Sequence, residues 1–247
     1  MLLLVDLDGV VYRGKDPVPG MPELLRQRAA AGDRIVYVTN NSRSHREEYR
    51  SRLERLGVPL SPTAEASIVT AARATAVLLA EASPAGRVAM VLGGPGLARE
   101  LEDVGITVVP PTDEGLAAAP DTLVVGVDFD LTYSRLSTAA EAVRRGARFW
   151  ATNRDAIFPA EDRLMAGAGS MVAAVAFATS REPDMVVGKP EPLLFEAAAA
   201  LAGVPVQEAV VIGDNLKTDI GAAIRLGSRS VLMLTGVTSQ AELDAAP

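Results

Sequence analysis

Short apolar runs alternate with helix-length amphipathic segments along the whole chain. The opening run "LLLVDLD" is apolar until it meets two carboxylates, as expected of a strand buried on both faces. The spacing predicts a helix over residues 21–31 stopped by Gly32, then a strand at "RIVYVTNNS" that is polar only at its end. "SHREEYRSRLERLG" reads as a charged surface helix closed by Gly57, and residues 63–82 as a further long helix. This strand–helix–strand–helix order predicts a parallel sheet with helices on its faces.

A second set of elements begins near "EASPAGRV". "RVAMVLGG", "ITVV", "TLVVGV" and "ARFWATN" read as strands, and "PGLARELEDVG", "YSRLSTAAEAVRRG" and "GAGSMVAAVAFATS" as helices. "SREPD" reads as a linker. After it the first style returns with the strand "MVVG", the helix "PLLFEAAAALAG", the strand "AVVIG", the helix "DIGAAIRLG" and the strand "SVLMLTG". The expected architecture is α/β: a Rossmann-like parallel-sheet core with helices on both faces, from residues 1–82 and 183–247, interrupted by a smaller α/β insertion at 83–182.

Composition narrows the function classes. The 247 residues are 49% hydrophobic and 22% charged, enough for a sizeable core. Net charge is −7 with no basic stripe, which argues against nucleic acid as a partner. There is no cysteine, which excludes disulfides, thiolate metal sites and a cysteine nucleophile. No stretch is long enough to span a membrane and no basic leader precedes the first strand, so the expectation is a soluble cytoplasmic protein.

Polar residues fall at the ends of the strands read as the core. The first ends in Asp6 and Asp8, the second in Thr39, Asn40 and Asn41, "MVVGKP" in Lys189, and "AVVIGDN" in Asp214 and Asn215, followed by Asp219. In parallel sheets ligands bind at the carboxyl ends of strands, so these groups would share one edge. Several aspartates suit a hard cation, most naturally Mg²⁺, which would relieve repulsion between Asp6, Asp8 and Asp214. A carboxylate needs no deprotonation to attack phosphorus, and the cation with Lys189 would offset its repulsion from a phosphate dianion. The Thr39 hydroxyl and the following N–H would hold phosphate oxygens, and Asp8 would protonate the leaving oxygen and then deprotonate water.

With these residues in view, "DLDGVVYRG", "VTNNS", "VGKPEP" and "GDNLKTDI" resemble the four motifs of the haloacid dehalogenase-like phosphatases. The chain is most similar to their subfamily IIA, in which a large C2-type α/β cap follows the second motif (the nitrophenylphosphatase and phosphoglycolate phosphatase group). The resemblance implies Asp6 as nucleophile and metal ligand, Asp8 as acid/base lending its backbone carbonyl to the metal, and Asp214 as the third ligand. It implies Asp219 as the carboxylate that orients Lys189 or metal-bound water, with Asn215 beside it, and Thr39, Asn40 and Lys189 as phosphate binders. The insertion would be the cap, with Asn153, Arg154 and Asp155 facing the substrate; relatives often pair through their caps, so a homodimer is one expectation.

Plainer readings stand beside these. Any one of the pairs could be strand or helix capping; the constellation decides. His45, the only histidine, is expected to be exposed and without a role. "LGGPGLARE" has Arg99 where a dinucleotide fingerprint needs glycine, so it reads as a tight turn, and Trp150 reads as core. The expected activity is Mg²⁺-dependent hydrolysis of a small phosphorylated metabolite through an aspartyl-phosphate on Asp6. Phosphoglycolate, glycerol phosphate, pyridoxal phosphate and nucleoside monophosphates all fit, and the acidic positions Asp155, Glu161 and Asp162 argue against highly charged substrates. The alternatives are a phosphomutase or a non-catalytic phosphometabolite-binding module on the same scaffold.

Overall fold

The computed structural model describes residues 1–61, 67–82, 87–159 and 163–246. The strands are β1 (Leu2–Asp6), β2 (Tyr12–Arg13), β3 (Asp16–Pro17), β4 (Arg34–Thr39), β5 (Ile68–Thr70), β6 (Val88–Leu92), β7 (Thr107–Val109), β8 (Thr122–Val125), β9 (Arg148–Ala151), β10 (Ile157–Pro159), β11 (Leu164–Ala166), β12 (Met185–Val186), β13 (Ala209–Gly213) and β14 (Arg229–Leu232). The helices that matter below are α1 (Met21–Ala30), α2 (Arg46–Arg55), α3 (Ala71–Glu81) and α4 (Pro95–Glu102).

The chain divides into two compact units. The first comprises Met1–Thr39, Arg46–Val69 and Lys189–Pro247; the second comprises Asn40–His45 and Thr70–Gly188. The first unit is built on a five-stranded parallel sheet in the order β14-β13-β1-β4-β5. The four apolar residues of the central strand β1, Leu2–Val5, are buried as their unbroken run predicts, and Asp6 at its end is buried with them. Each such aliphatic side chain contributes about 1.5–3 kcal/mol on burial. Leu3, Val5 and Leu7 pack with Leu25 of α1 and Tyr49 and Leu53 of α2. The register brings the site together: Asp6 pairs with Val38, one residue short of Thr39, and Val5 pairs with Ile212, one short of Gly213.

The second unit holds its own five-stranded parallel sheet, β12-β9-β8-β6-β7, and a hairpin of β10 and β11. Its core gathers Met90, Leu92, Leu123, Phe149 and Val175. Trp150 on β9 is buried, as expected. The expected insertion, 83–182, lies inside this unit. Among the described residues no helix is long and apolar enough to cross a membrane.

Two local expectations change. Residues 63–82 are not one helix: β5 occupies Ile68–Thr70, and Thr70, extended at φ −86, ψ 159, caps α3 by accepting the N–H of Arg73 at 3.0 Å. The start of that expected helix, at 63–66, lies outside the described residues. The "MVV" run is a strand, but it pairs with β9 of the second sheet, Met185 opposite Trp150, so Lys189 follows a strand of the inserted unit rather than ending one of the first sheet.

Candidate active site

The first unit collects its acids at the carboxyl end of its sheet. Lys189 is the hub. Its Nζ donates to Asp6 Oδ1 at 2.5 Å and to Asp219 Oδ1 at 2.7 Å, with the three side chains 4%, 10% and 1% exposed. Asp6, Asp214 and Asp219 each offer a carboxylate oxygen within 4.8 Å of the others. Both oxygens of Asp219 have protein partners, since Oδ2 accepts the N–H of Asn215 at 3.1 Å. That arrangement suits a carboxylate that orients Lys189. The Asn215 side chain accepts from the N–H groups of Lys217 and Thr218, capping the π-type helical segment Leu216–Ile220, so its backbone rather than its amide meets Asp219.

Charge here is not balanced by protein alone. Ionised together, the three carboxylates would exceed the one ammonium by two negative charges in a buried cluster. Burial drives the Asp6 carboxyl well above its ordinary range, against the pull of Lys189 and helped by Asp219 and Asp214. Burial also raises Asp214, opposed by the N–H of Val237. Lys189 goes up: burial alone would lower it, but Asp219 and Asp6 together outweigh that. An oxygen-only donor set with surplus negative charge fits a hard divalent cation.

A loop that the sequence reading did not single out shapes Asp214. Val237 N–H donates to its Oδ2 at 2.6 Å and Thr238 N–H to its backbone carbonyl at 3.1 Å. A Cβ on Gly236 would lie 1.7 Å from Asp214 Oδ2, and one on Gly9 2.3 Å from the same atom. Gly9 also sits at φ +83, in the tight turn where its N–H donates to Tyr12 O at 2.8 Å. Only glycine at both places lets this carboxylate approach, a reason for "DGV" and for the "TG" after the last strand.

Asp8 is half-buried beside this cluster. Burial raises its pKa, opposed by Arg52, Lys189 and the Tyr12 hydroxyl at 3.5 Å. Arg52 lies over the Tyr12 ring, 3.5 Å from its centroid, and also donates to the Gly14 carbonyl, bracing the β2–β3 hairpin. Asp8 therefore holds a proton more readily than an exposed aspartate, as a general acid requires. Thr39 is buried at the end of β4.

The remaining expected residues belong to the second unit. The Asn40 amide donates to Asp155 at 3.1 and 3.0 Å, and Asn153 Nδ2 donates to the Asn40 carbonyl at 2.7 Å. Arg154 pairs with Glu182 at 2.7 Å on the surface. Glu161 and Asp162 lie outside the described residues. His45 is a correction: it is buried, 2% exposed, with Nε2 3.0 Å from Asp103 Oδ2 and 3.5 Å from Glu100 Oε1. The glycines of "LGGPGLARE" explain this, because Gly96 N–H donates to Arg43 O at 2.9 Å and a Cβ there would lie 2.3 Å from Ser44 C. They admit the 43–45 backbone onto the start of α4.

Sequence comparison agrees with this geometry. The profile of the Haloacid dehalogenase-like hydrolases matches residues 3–107, and a second HAD-hydrolase-like profile matches 186–247. An acid sugar phosphatase of Staphylococcus saprophyticus is 36% identical over 242 residues, spanning 98% of this chain and 89% of its own. The chain belongs to the haloacid dehalogenase-like hydrolases. Among solved members, the p-nitrophenyl phosphatase of Archaeoglobus fulgidus superposes with a TM-score of 0.90 at 34% identity, covering 99% of this chain and 90% of that one. A glycerol phosphate phosphatase of Mycobacterium tuberculosis, solved in complex with magnesium, gives a TM-score of 0.86 at 38% identity, covering 96% of this chain and 68% of that one. The parallel α/β fold shared with these structures is the one the alternating pattern predicts.

Proposed function

We propose that this haloacid dehalogenase-like hydrolase is a phosphatase that cleaves small phosphate monoesters through an aspartyl-phosphate on Asp6. The observation that carries the reading is the Lys189 ammonium held between Asp6 and Asp219 at 2.5 and 2.7 Å, with Asp214 in the same cluster. The residues suited to hold a divalent cation, Mg²⁺ by donor chemistry, are Asp6 and Asp214 through their side chains and Asp8 through its carbonyl. When bound, the cation would neutralise charge on the carboxylates and on the phosphoryl oxygens.

Asp6 attacks phosphorus, and the bond between phosphorus and the ester oxygen breaks. Asp8 gives its proton to that departing oxygen. Asp8, now a carboxylate, takes a proton from water; the water oxygen bonds to phosphorus and the bond to Asp6 breaks, releasing phosphate. Lys189, the Thr39 hydroxyl and the N–H of Asn40 hold the phosphoryl oxygens, and Asp219 keeps the ammonium in place. The inserted unit is the cap, and its residues near Asn153–Asp155 bear on substrate handling.

The relatives' names favour small phosphorylated sugars, glycerol phosphate and aryl phosphates as the substrate class. Asp6→Asn should abolish phosphate release from p-nitrophenyl phosphate while leaving the far-ultraviolet circular dichroism unchanged. Activity within tenfold of wild type in that variant would overturn the mechanism.

A further inference from the structure

We infer that Asn153 and Asp155 are positioning residues that clamp the chain where it leaves Thr39 and where it returns to Lys189. The inference rests on the hydrolase reading above. Asn40 and Gly188, the residues covalently joined to those two phosphate binders, both belong to the second unit. Three residues close a ring there: Asn153 Nδ2 donates to Asn40 O at 2.7 Å, Asn40 Nδ2 donates to both oxygens of Asp155 at 3.1 and 3.0 Å, and Asp155 N–H donates to Asn153 Oδ1 at 3.0 Å.

Gly188 rests against the same ring. Its N–H donates to Thr152 O at 2.7 Å, and a Cβ on it would lie 2.6 Å from Thr152 O and 2.7 Å from both Asn153 Cβ and Asn40 Oδ1. Thr152 reaches the linker again, donating to Ser42 Oγ at 3.0 Å. Thr152 and Asn153 are buried, so these bonds work in a low dielectric, and the carboxylate makes its own charge-assisted.

The chemistry fixes the direction of the amide. An ionised carboxylate only accepts, so Asn40 must turn its NH₂ to Asp155. That makes the Asn40 side chain part of the clamp. Asp155 thus acts through Asn40, not by touching the substrate.

A double-mutant cycle separates the two roles. Asn40→Ala, Asp155→Ala and the double variant are assayed in the full chain with p-nitrophenyl phosphate and Mg²⁺. Each single variant should lower kcat by roughly tenfold to a hundredfold, with KM changing far less. The double should be no worse than the poorer single, and Asp155→Asn, which keeps one acceptor oxygen, should recover part of the loss. Losses that multiply, or that fall in KM alone, would overturn the clamp. If Asp155→Ala is not folded by circular dichroism, Asp155→Asn takes its place in the cycle, where the same two outcomes decide. If the wild-type protein releases no phosphate, the hydrolase reading fails and amide hydrogen exchange judges the clamp alone. Faster exchange at Gly188 and Asn41–His45 in Asn40→Ala would then support it, and unchanged protection would overturn it.

Discussion

Replacing Lys189 with methionine removes the ammonium between Asp6 and Asp219 while keeping a long unbranched side chain. With Lys189 4% exposed and Asp219 1% exposed, the pair is broken in a largely buried setting. Breaking a buried ion pair from one side costs about 3–5 kcal/mol. In a chain of this size each kcal/mol moves Tm by about 2–4 °C, so the metal-free variant should melt roughly 6–20 °C lower at neutral pH. The pH dependence has a definite sign. Burial holds folded Asp6 above the ordinary value of 3.8, so the stability tied to its protonation is present at low pH and drains as pH rises through the raised value. Lys189 pulls that value down, so its loss sends Asp6 higher and extends the drain to higher pH. Differential scanning calorimetry in a chelator should therefore show a gap between wild type and variant that is small near pH 3.8 and widens toward neutrality. Added Mg²⁺ should narrow the gap by supplying the missing positive charge, since a ligand at a hundred times its Kd contributes about 2.7 kcal/mol. Equal Tm values at neutral pH, or a gap that shrinks as pH rises, would refute the charge-balance reasoning.

Other substitutions separate the roles within the site. Asp8→Asn should slow release of a poor leaving group such as glycerol more than release of p-nitrophenolate, and with p-nitrophenyl phosphate it should give a burst followed by a slow steady rate in rapid-mixing absorbance. A linear time course with equal losses on both substrates would contradict its assignment as acid and base. Gly236→Ala places a Cβ on the end of the Asp214 carboxylate and forces it to shift, so it should lower Tm and raise the Mg²⁺ concentration for half-maximal activity by roughly tenfold to a hundredfold. A metal titration matching wild type would show that Asp214 does not hold the ion.

Much of this site was legible because parallel sheets put function at strand ends, and strand ends are easy to see when an apolar run stops at a charge. "LLLVD", "YVTN" and "VVIGD" announce themselves in that way, and the register of β1 with β4 and β13 brings their last residues together. What failed was local and short. Ile68–Thr70 is three residues long, too brief for a period of two to stand out from the helix that follows. "MVV" fits a buried parallel strand in either sheet, and periodicity carries no information on which sheet it joins. His45 followed a polar stretch and preceded a charged helix, so nothing nearby signalled that Gly96 would let its backbone settle against α4. The loop at 235–238 and the Asn40–Asn153–Asp155 ring depend on contacts between residues far apart in sequence, which the order of residues along a single chain does not display.

The proposed mechanism requires Asp6 itself to carry the phosphoryl group. Asp8→Asn, which should stall the second half of the reaction, can be mixed with p-nitrophenyl phosphate and Mg²⁺, quenched in acid and digested for mass spectrometry. One added phosphoryl group is expected on the peptide spanning Leu2–Arg13, fragmenting to Asp6. An unmodified peptide during turnover, or a phosphoryl group on any other residue, would contradict it.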